Sequence, residues 1–217
     1  MKNSHVLPFA LLALIVAIPA LAVAGPTTAS LPDAPIVEVN GGTVTFDVAT
    51  NVPAVSIHGE SKALQGRVRL RDRGQSVVLE ELEASVKVES LKTGIGQRDE
   101  HMRKYVFTTP AGDVPDLRFA AKDSTCAASA SGRERTCRVS GDLTIRGTTR
   151  PFAIVLKVSE REGAFRASGD GVVKLSTFEI ERPSQLVVKT ADEVKLRLEF
   201  TARPMAGKAL TSLRENR

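Results

Sequence analysis

Val194-Lys-Leu-Arg-Leu-Glu-Phe-Thr-Ala-Arg203 alternates without a break: Val194, Leu196, Leu198, Phe200 and Ala202 stand against Lys195, Arg197, Glu199, Thr201 and Arg203. A period of two means a β-strand with one apolar and one charged face. The same pattern recurs outward through the chain. Val44, Phe46 and Val48 alternate with Thr43, Thr45 and Asp47, and Val68 and Leu70 with Arg67, Arg69 and Arg71. Leu82, Ala84, Val86 and Val88 face away from Glu83, Ser85, Lys87 and Glu89. Leu117, Phe119 and Ala121 oppose Arg118 and Lys122, and Val139, Leu143 and Ile145 oppose Arg138, Asp142, Thr144 and Arg146. Phe152, Ile154, Leu156 and Val158 form another row, and Phe165 and Ala167 begin a strand that runs on through Val172–Leu175. Turn signals at Asn40-Gly41-Gly42, Arg73-Gly74, Gly147-Thr148-Thr149, Glu162-Gly163 and Ala191-Asp192 separate the runs. Only Ala54–Glu60 and Val172–Ile180 leave the inward face undecided.

The expectation is an all-β fold of roughly eight antiparallel strands, closed into a barrel; a two-sheet sandwich satisfies the same alternation. An eight-stranded barrel has an interior that side chains just fill or that holds one small ligand. One stretch breaks the pattern. Ser90–Phe107, SLKTGIGQRDEHMRKYVF, opens on Gly94 and Gly96 and then runs to Phe107 without Pro or Gly. It predicts one short surface helix over Gln97–Phe107, with Ile95, Met102, Tyr105 and Val106 as an uneven apolar face, of the kind that plugs or lids something.

Ahead of the strands, Met1–Ala24 has the parts of a secretory signal: Lys2, an apolar stretch from Val6 to Val23 interrupted by Pro8 and Pro19, and a small-residue end at Ala22-Val23-Ala24. Cleavage is expected before Gly25. Residues 25–35 read as a Pro/Ser/Thr leader, 36–203 as one barrel domain and 204–217 as a short basic tail. No positive stop-transfer cluster follows the apolar stretch, so the mature chain is expected to be exported to the periplasm rather than integral to a membrane. Cys126 and Cys137 are the only cysteines and bracket a polar segment; in an oxidising compartment they read as a disulfide at the base of a hairpin loop.

Function classes narrow by elimination. Thirty Lys and Arg against 25 Asp and Glu give a net charge of +5, and loss of Lys2 removes one unit. The basic residues are spread over strand faces and aromatics make up 4%, with no Trp, so no nucleic-acid platform is visible. There is no G-x-S-x-G elbow, Gly94-Ile95-Gly96 lacks the context of a nucleotide loop, and His58 and His101 are too few for a metal site. His58 reads as the end of a strand. No residue pattern argues for an enzyme.

Three stretches then carry a family likeness, the third more weakly. Ser90–Phe107 is similar to the form S-x-x-T-G-x-x-x-R-D-x-H-L plus an aromatic, with Thr93, Gly94, Arg98, Asp99, His101, Met102 and Phe107 in place. Gly141–Val158 resembles G-x-L-x-[IL]-x-G-x-[TK]-[RK]-P-[VF], and Asp192–Ala202 resembles the closing strand. The chain thereby resembles the YceI family of secreted, lipocalin-like proteins associated with polyisoprenoid lipids. Gly42-Thr43, Lys174–Phe178 and the cysteine pair depart from the family pattern.

The resemblance implies a lipocalin-like barrel with its helix near the mouth and a long isoprenoid chain in the lumen. The lining would come from Phe46, Val48, Val68 and Leu70; from Val86, Val88, Met102 and Phe107; from Leu117, Phe119, Leu143 and Ile145; from Phe152, Ile154 and Leu156; and from Leu196, Leu198 and Phe200. Arg98, Asp99 and His101 would meet a head group, or else Arg98 and Asp99 form a helix-start ion pair while His101 bonds the rim. No cofactor is called for beyond a bound isoprenoid or quinone-type lipid. The other reading is a barrel filled by its own side chains that binds a protein partner. A homodimer is compatible with either, and ligand length and head group stay open.

Overall fold

The computed structural model describes residues 36–72, 76–128, 134–185 and 187–205. The expected signal peptide, the leader, the Arg73-Gly74 turn and nearly all of the tail lie outside them. Among the described residues there are ten strands: β1 (Ile36–Thr50), β2 (Ser56–Ser61), β3 (Leu64–Asp72), β4 (Ser76–Val86), β5 (Leu117–Ala128), β6 (Glu134–Ile145), β7 (Thr148–Arg161), β8 (Ala164–Lys174), β9 (Ser184–Gln185) and β10 (Val188–Pro204). They form one antiparallel sheet in the order β2-β1-β3-β4-β5-β6-β7-β8-β10-β9, and β1 also pairs with β10. That last pairing closes a barrel and removes the open edge that a sandwich would keep. β2 and β3 share one position in the wall: β2 pairs with Val44–Ala49 of β1 and β3 with residues 36–40. The barrel therefore has eight walls, as the alternation implies.

Two of the expected turns are not turns. Asn40-Gly41-Gly42 lies inside β1, where Val39 faces Ala202 and Gly42 faces Phe200, so β1 takes one extra residue there. Gly41 has φ +99, which suits a β-bulge that only a residue without Cβ enters without strain. Ala191-Asp192 lies inside β10, at a register shift where Val48 faces Val194 and Thr50 faces Thr190. At Arg146-Gly147 and Glu162-Gly163 the chain does reverse, each pair having both φ angles positive, the two-residue hairpin that follows strand twist.

Val88 is not strand either: Val88–Ser90 is a 3-10 turn in which the Leu91 amide donates to the Val88 carbonyl. In the two undecided stretches the structure places Ile57 and Val173 inward and leaves Val55 and Val172 exposed. His58 sits within β2 on the outer face, its Nδ1 2.8 Å from Asp47, and does not end the strand.

The outer rows are charged and wet. Arg67–Glu83, Arg69–Glu81 and Arg71–Glu80 pair across β3 and β4, each of these exposed pairs contributing under about 1 kcal/mol. The inner rows form one core with residues from the two segments that cover one end of the barrel. Val88, Leu91, Val106 and Phe107 come from the connection between β4 and β5; Leu175, Phe178 and Ile180 follow β8. This is the helix end. At the opposite, hairpin end, Cys126 and Cys137 face each other across β5 and β6, buried, disulfide-bonded, with Cα atoms 4.0 Å apart.

Candidate functional site

The helix begins with α1 (Gly96–Met102) and continues as a single π turn, Arg103–Phe107. It is not the regular helix with an apolar face through Ile95 and Tyr105: these two are 54% and 56% exposed, whereas Val106 and Phe107 turn into the core. A π turn adds one residue per turn, and the wider loop brings two consecutive apolar side chains onto the buried side. Leu91, ahead of the helix, is buried too, and the Lys92 and Glu60 backbones exchange hydrogen bonds that tie this connection to β2.

Arg98 and Asp99 do not pair with each other; both converge on Thr93. The Thr93 amide and hydroxyl donate to Asp99 Oδ1 at 2.7 and 2.6 Å, while Arg98 donates from Nε to the Thr93 hydroxyl at 2.9 Å and from Nη2 to its carbonyl at 2.8 Å. His101 lies edge-on to Tyr105, ring centroids 5.7 Å apart. Thr93 is the residue that sequence reasoning left without a role, although it stands in the motif. Burial of Asp99 works to raise its pKa, but the hydroxyl and amide of Thr93, with Lys92 and Arg103 nearby, outweigh burial and hold the carboxyl below the usual range. Because the folded-state value is depressed, this stabilisation is complete above the ordinary Asp pKa of about 3.9 and is lost as pH falls through the lowered value. Asp99→Ala is expected to cost about 1–3 kcal/mol at neutral pH. Asp99→Asn should flatten the acid limb of a stability-versus-pH curve measured by urea denaturation.

The proposed lining residues all lie in the core or pack against it, and they divide in two. Phe46, Val48, Val68, Val86, Val88, Phe107, Ile145, Ile154 and Leu156 are buried. Leu70, Met102, Leu117, Phe119, Leu143, Phe152, Leu196, Leu198 and Phe200 keep partial exposure although they stand on the inner side. The row Val194, Leu196, Leu198 and Phe200 is half-buried along its whole length. On β8, Val194 faces Val173, but the other three face small residues, with Leu196 facing Gly171, Leu198 facing Gly169 and Phe200 facing Ala167.

The glycines also decide where larger neighbours lie. A Cβ on Gly169 would stand 2.6 Å from Leu156 Cδ2, and one on Gly171 2.8 Å from Phe152 Cζ; the Phe46 ring covers Gly59 in the same way. Leu156, Phe152 and Phe46 thus occupy the space that a Cβ at Gly169, Gly171 and Gly59 would need.

The inner row of β6 carries one charge. Arg135 occupies the inner row of β6 two residues before Cys137, facing Val158 on β7 and Ala128 on β5. Its Nη1 is buried and has no hydrogen-bond partner among the described residues. Glu134–Arg138 reads as a polar stretch, which hid this placement, but counting back in twos from Val139 through Cys137 puts Arg135 inside.

Comparison with known proteins follows the same lines. A family model of the YceI-like domain matches residues 37–202. Burkholderia cenocepacia BcnA is 18% identical and superposes with a TM-score of 0.57, over 74% of this chain and 95% of that one. A polyisoprenoid binding domain from Saccharophagus degradans, implicated in plant cell wall breakdown, is 15% identical with a TM-score of 0.57, over 77% of this chain and 98% of that one. The YCEI protein of Campylobacter jejuni is 18% identical with a TM-score of 0.54, over 70% and 86%. At these identities the likeness is one of fold. No curated protein matches the chain.

Proposed function

The chain belongs to the YceI-like domain family, and from that membership we propose that it is an exported, periplasmic binding protein that holds a long apolar lipid, an isoprenoid or a similar chain, in its lumen for transport, storage or sequestration. The observation that carries this reading is the half-buried inner row Val194, Leu196, Leu198 and Phe200, of which the last three face Gly171, Gly169 and Ala167, in a barrel where Phe46, Leu156 and Phe152 lie over glycines. Apolar surface that the fold leaves partly accessible gains by covering a chain, at about 0.8 kcal/mol per buried methylene. The polyisoprenoid-binding designation of the Saccharophagus degradans domain supports the ligand class. The expected signal peptide and the disulfide support an oxidising, exported setting.

The test is purification from the exported fraction without detergent, followed by organic extraction and mass spectrometry. A stoichiometric isoprenoid or quinone is expected. An empty protein that also refuses added lipid overturns the proposal in favour of a self-filled barrel with a protein partner.

A further inference from the structure

Arg135 stands on the inner row of β6, and its Nη1 has no hydrogen-bond partner among the described residues. Its flanking positions are Val158 and Ala128, and the next inner residue of its own strand is Cys137, disulfide-bonded to Cys126. Nη1 is out of contact with solvent and meets no acceptor among the described residues. The nearest acid on the inner row of β7, Glu160, lies one step beyond Val158 toward the Glu162-Gly163 turn and is exposed. The guanidinium presents a planar fork of donors that matches the oxygens of a phosphate or carboxylate. Arg135 is half-buried, and a guanidinium nitrogen buried without an acceptor costs stability, which singles it out from the outer-face arginines paired with Glu80, Glu81 and Glu83.

The position along the barrel matters as much as the charge. Arg135 is the second residue of β6, at the hairpin end, whereas Val88, Leu91, Val106 and Phe107 cover the helix end. Between them run the half-buried Phe200, Leu198 and Leu196.

We propose that Arg135 is the head-group contact of the lumen, taking the anionic oxygens of a phosphate or carboxylate on a lipid whose chain runs from there toward the helix end. This rests on the lumen being the lipid site. It moves the polar contact away from Arg98 and Asp99, whose hydrogen bonds go to Thr93.

The test is titration of the purified chain with farnesyl monophosphate, palmitate and farnesol, followed by native mass spectrometry. The two anionic probes, or the one whose head fits, are expected to bind roughly tenfold or more tightly than farnesol. Arg135→Met should bring the anionic probes down to the farnesol level without changing farnesol, and Arg135→Lys should keep part of the preference. Arg135→Met should also raise the thermal midpoint of the lipid-free protein, because it removes the guanidinium nitrogen buried without an acceptor. Glu160→Gln should leave the ratio unchanged; its collapse in that variant overturns the assignment by showing that Glu160 positions the guanidinium. Equal binding of all three probes to the unmodified chain, or a preference that survives Arg135→Met, also overturns it while leaving the lumen reading intact. Failure of all three chains to bind overturns the lumen reading itself, and the inference with it.

Discussion

Gly141→Ala is expected to lower the stability of this barrel by about 3 kcal/mol, the upper end of what overpacking costs. Gly141 stands on the inner row of β6, between Ala121 of β5 and Phe152 of β7. A Cβ there would run into the Ala120 carbonyl oxygen and would stand 2.7 Å from Ala121 Cβ and 2.8 Å from Ala121 Cα. These atoms are backbone or fixed directly to it, so no rotamer change relieves the contact; β5 and β6 must separate. Gly171→Ala is the control. Its new methyl would first meet Phe152 Cζ, at 2.8 Å, the tip of a ring that can swing aside. The control should lose about 1 kcal/mol and take up less lipid, since the displaced ring moves toward the lumen. Urea denaturation of both variants decides the matter. A Gly141→Ala protein no less stable than Gly171→Ala would mean that β5 and β6 are not as closely spaced as described.

The second large effect belongs to the disulfide. Replacing both Cys126 and Cys137 by alanine is expected to cost about 2–4 kcal/mol, because the closed loop no longer restricts the unfolded chain. The two residues are separated by 11 in sequence and face each other at the hairpin end, 3% and 2% exposed. Burial adds a kinetic expectation. A mild reductant should leave the folded protein oxidised and act only when denaturant opens the barrel, so the urea midpoint should fall with reductant present throughout and stay unchanged when reductant is added and removed before denaturation. Equal midpoints for the oxidised protein and the double variant would reduce the bond to a bystander of the β5–β6 pairing.

Much of this molecule follows from residue order alone. Strict alternation in Val194–Arg203 and its counterparts identifies the strands, because a period of two has no other regular explanation. The cysteine pair and the break at Ser90–Phe107 are equally local signals, and so is the Glu162-Gly163 turn. The apolar set named from the sequence does lie on the inner side.

What the sequence did not decide shares one cause. Alternation states which residues share a face, but a bulge resets the count, and only pairing with a neighbour reveals where it falls. Asn40-Gly41-Gly42 has the composition of a turn and becomes a bulge because β10 runs past it on one side and β2 and β3 on the other. Arg98 and Asp99 are adjacent in sequence and opposite in charge, yet Thr93 outcompetes their mutual attraction by offering a donor to one and acceptors to the other. Arg135 lies in a polar run, and although counting in twos from Val139 puts it on the inner row, the burial of its Nη1 arises only when β5 and β7 pair with β6. The residue order determined antiparallel strands with one apolar face each. The pairing of β1 with β10, which brings distant strands together, decided that they close into a barrel, which apolar side chains stay partly uncovered, and where the Arg135 guanidinium stands among them.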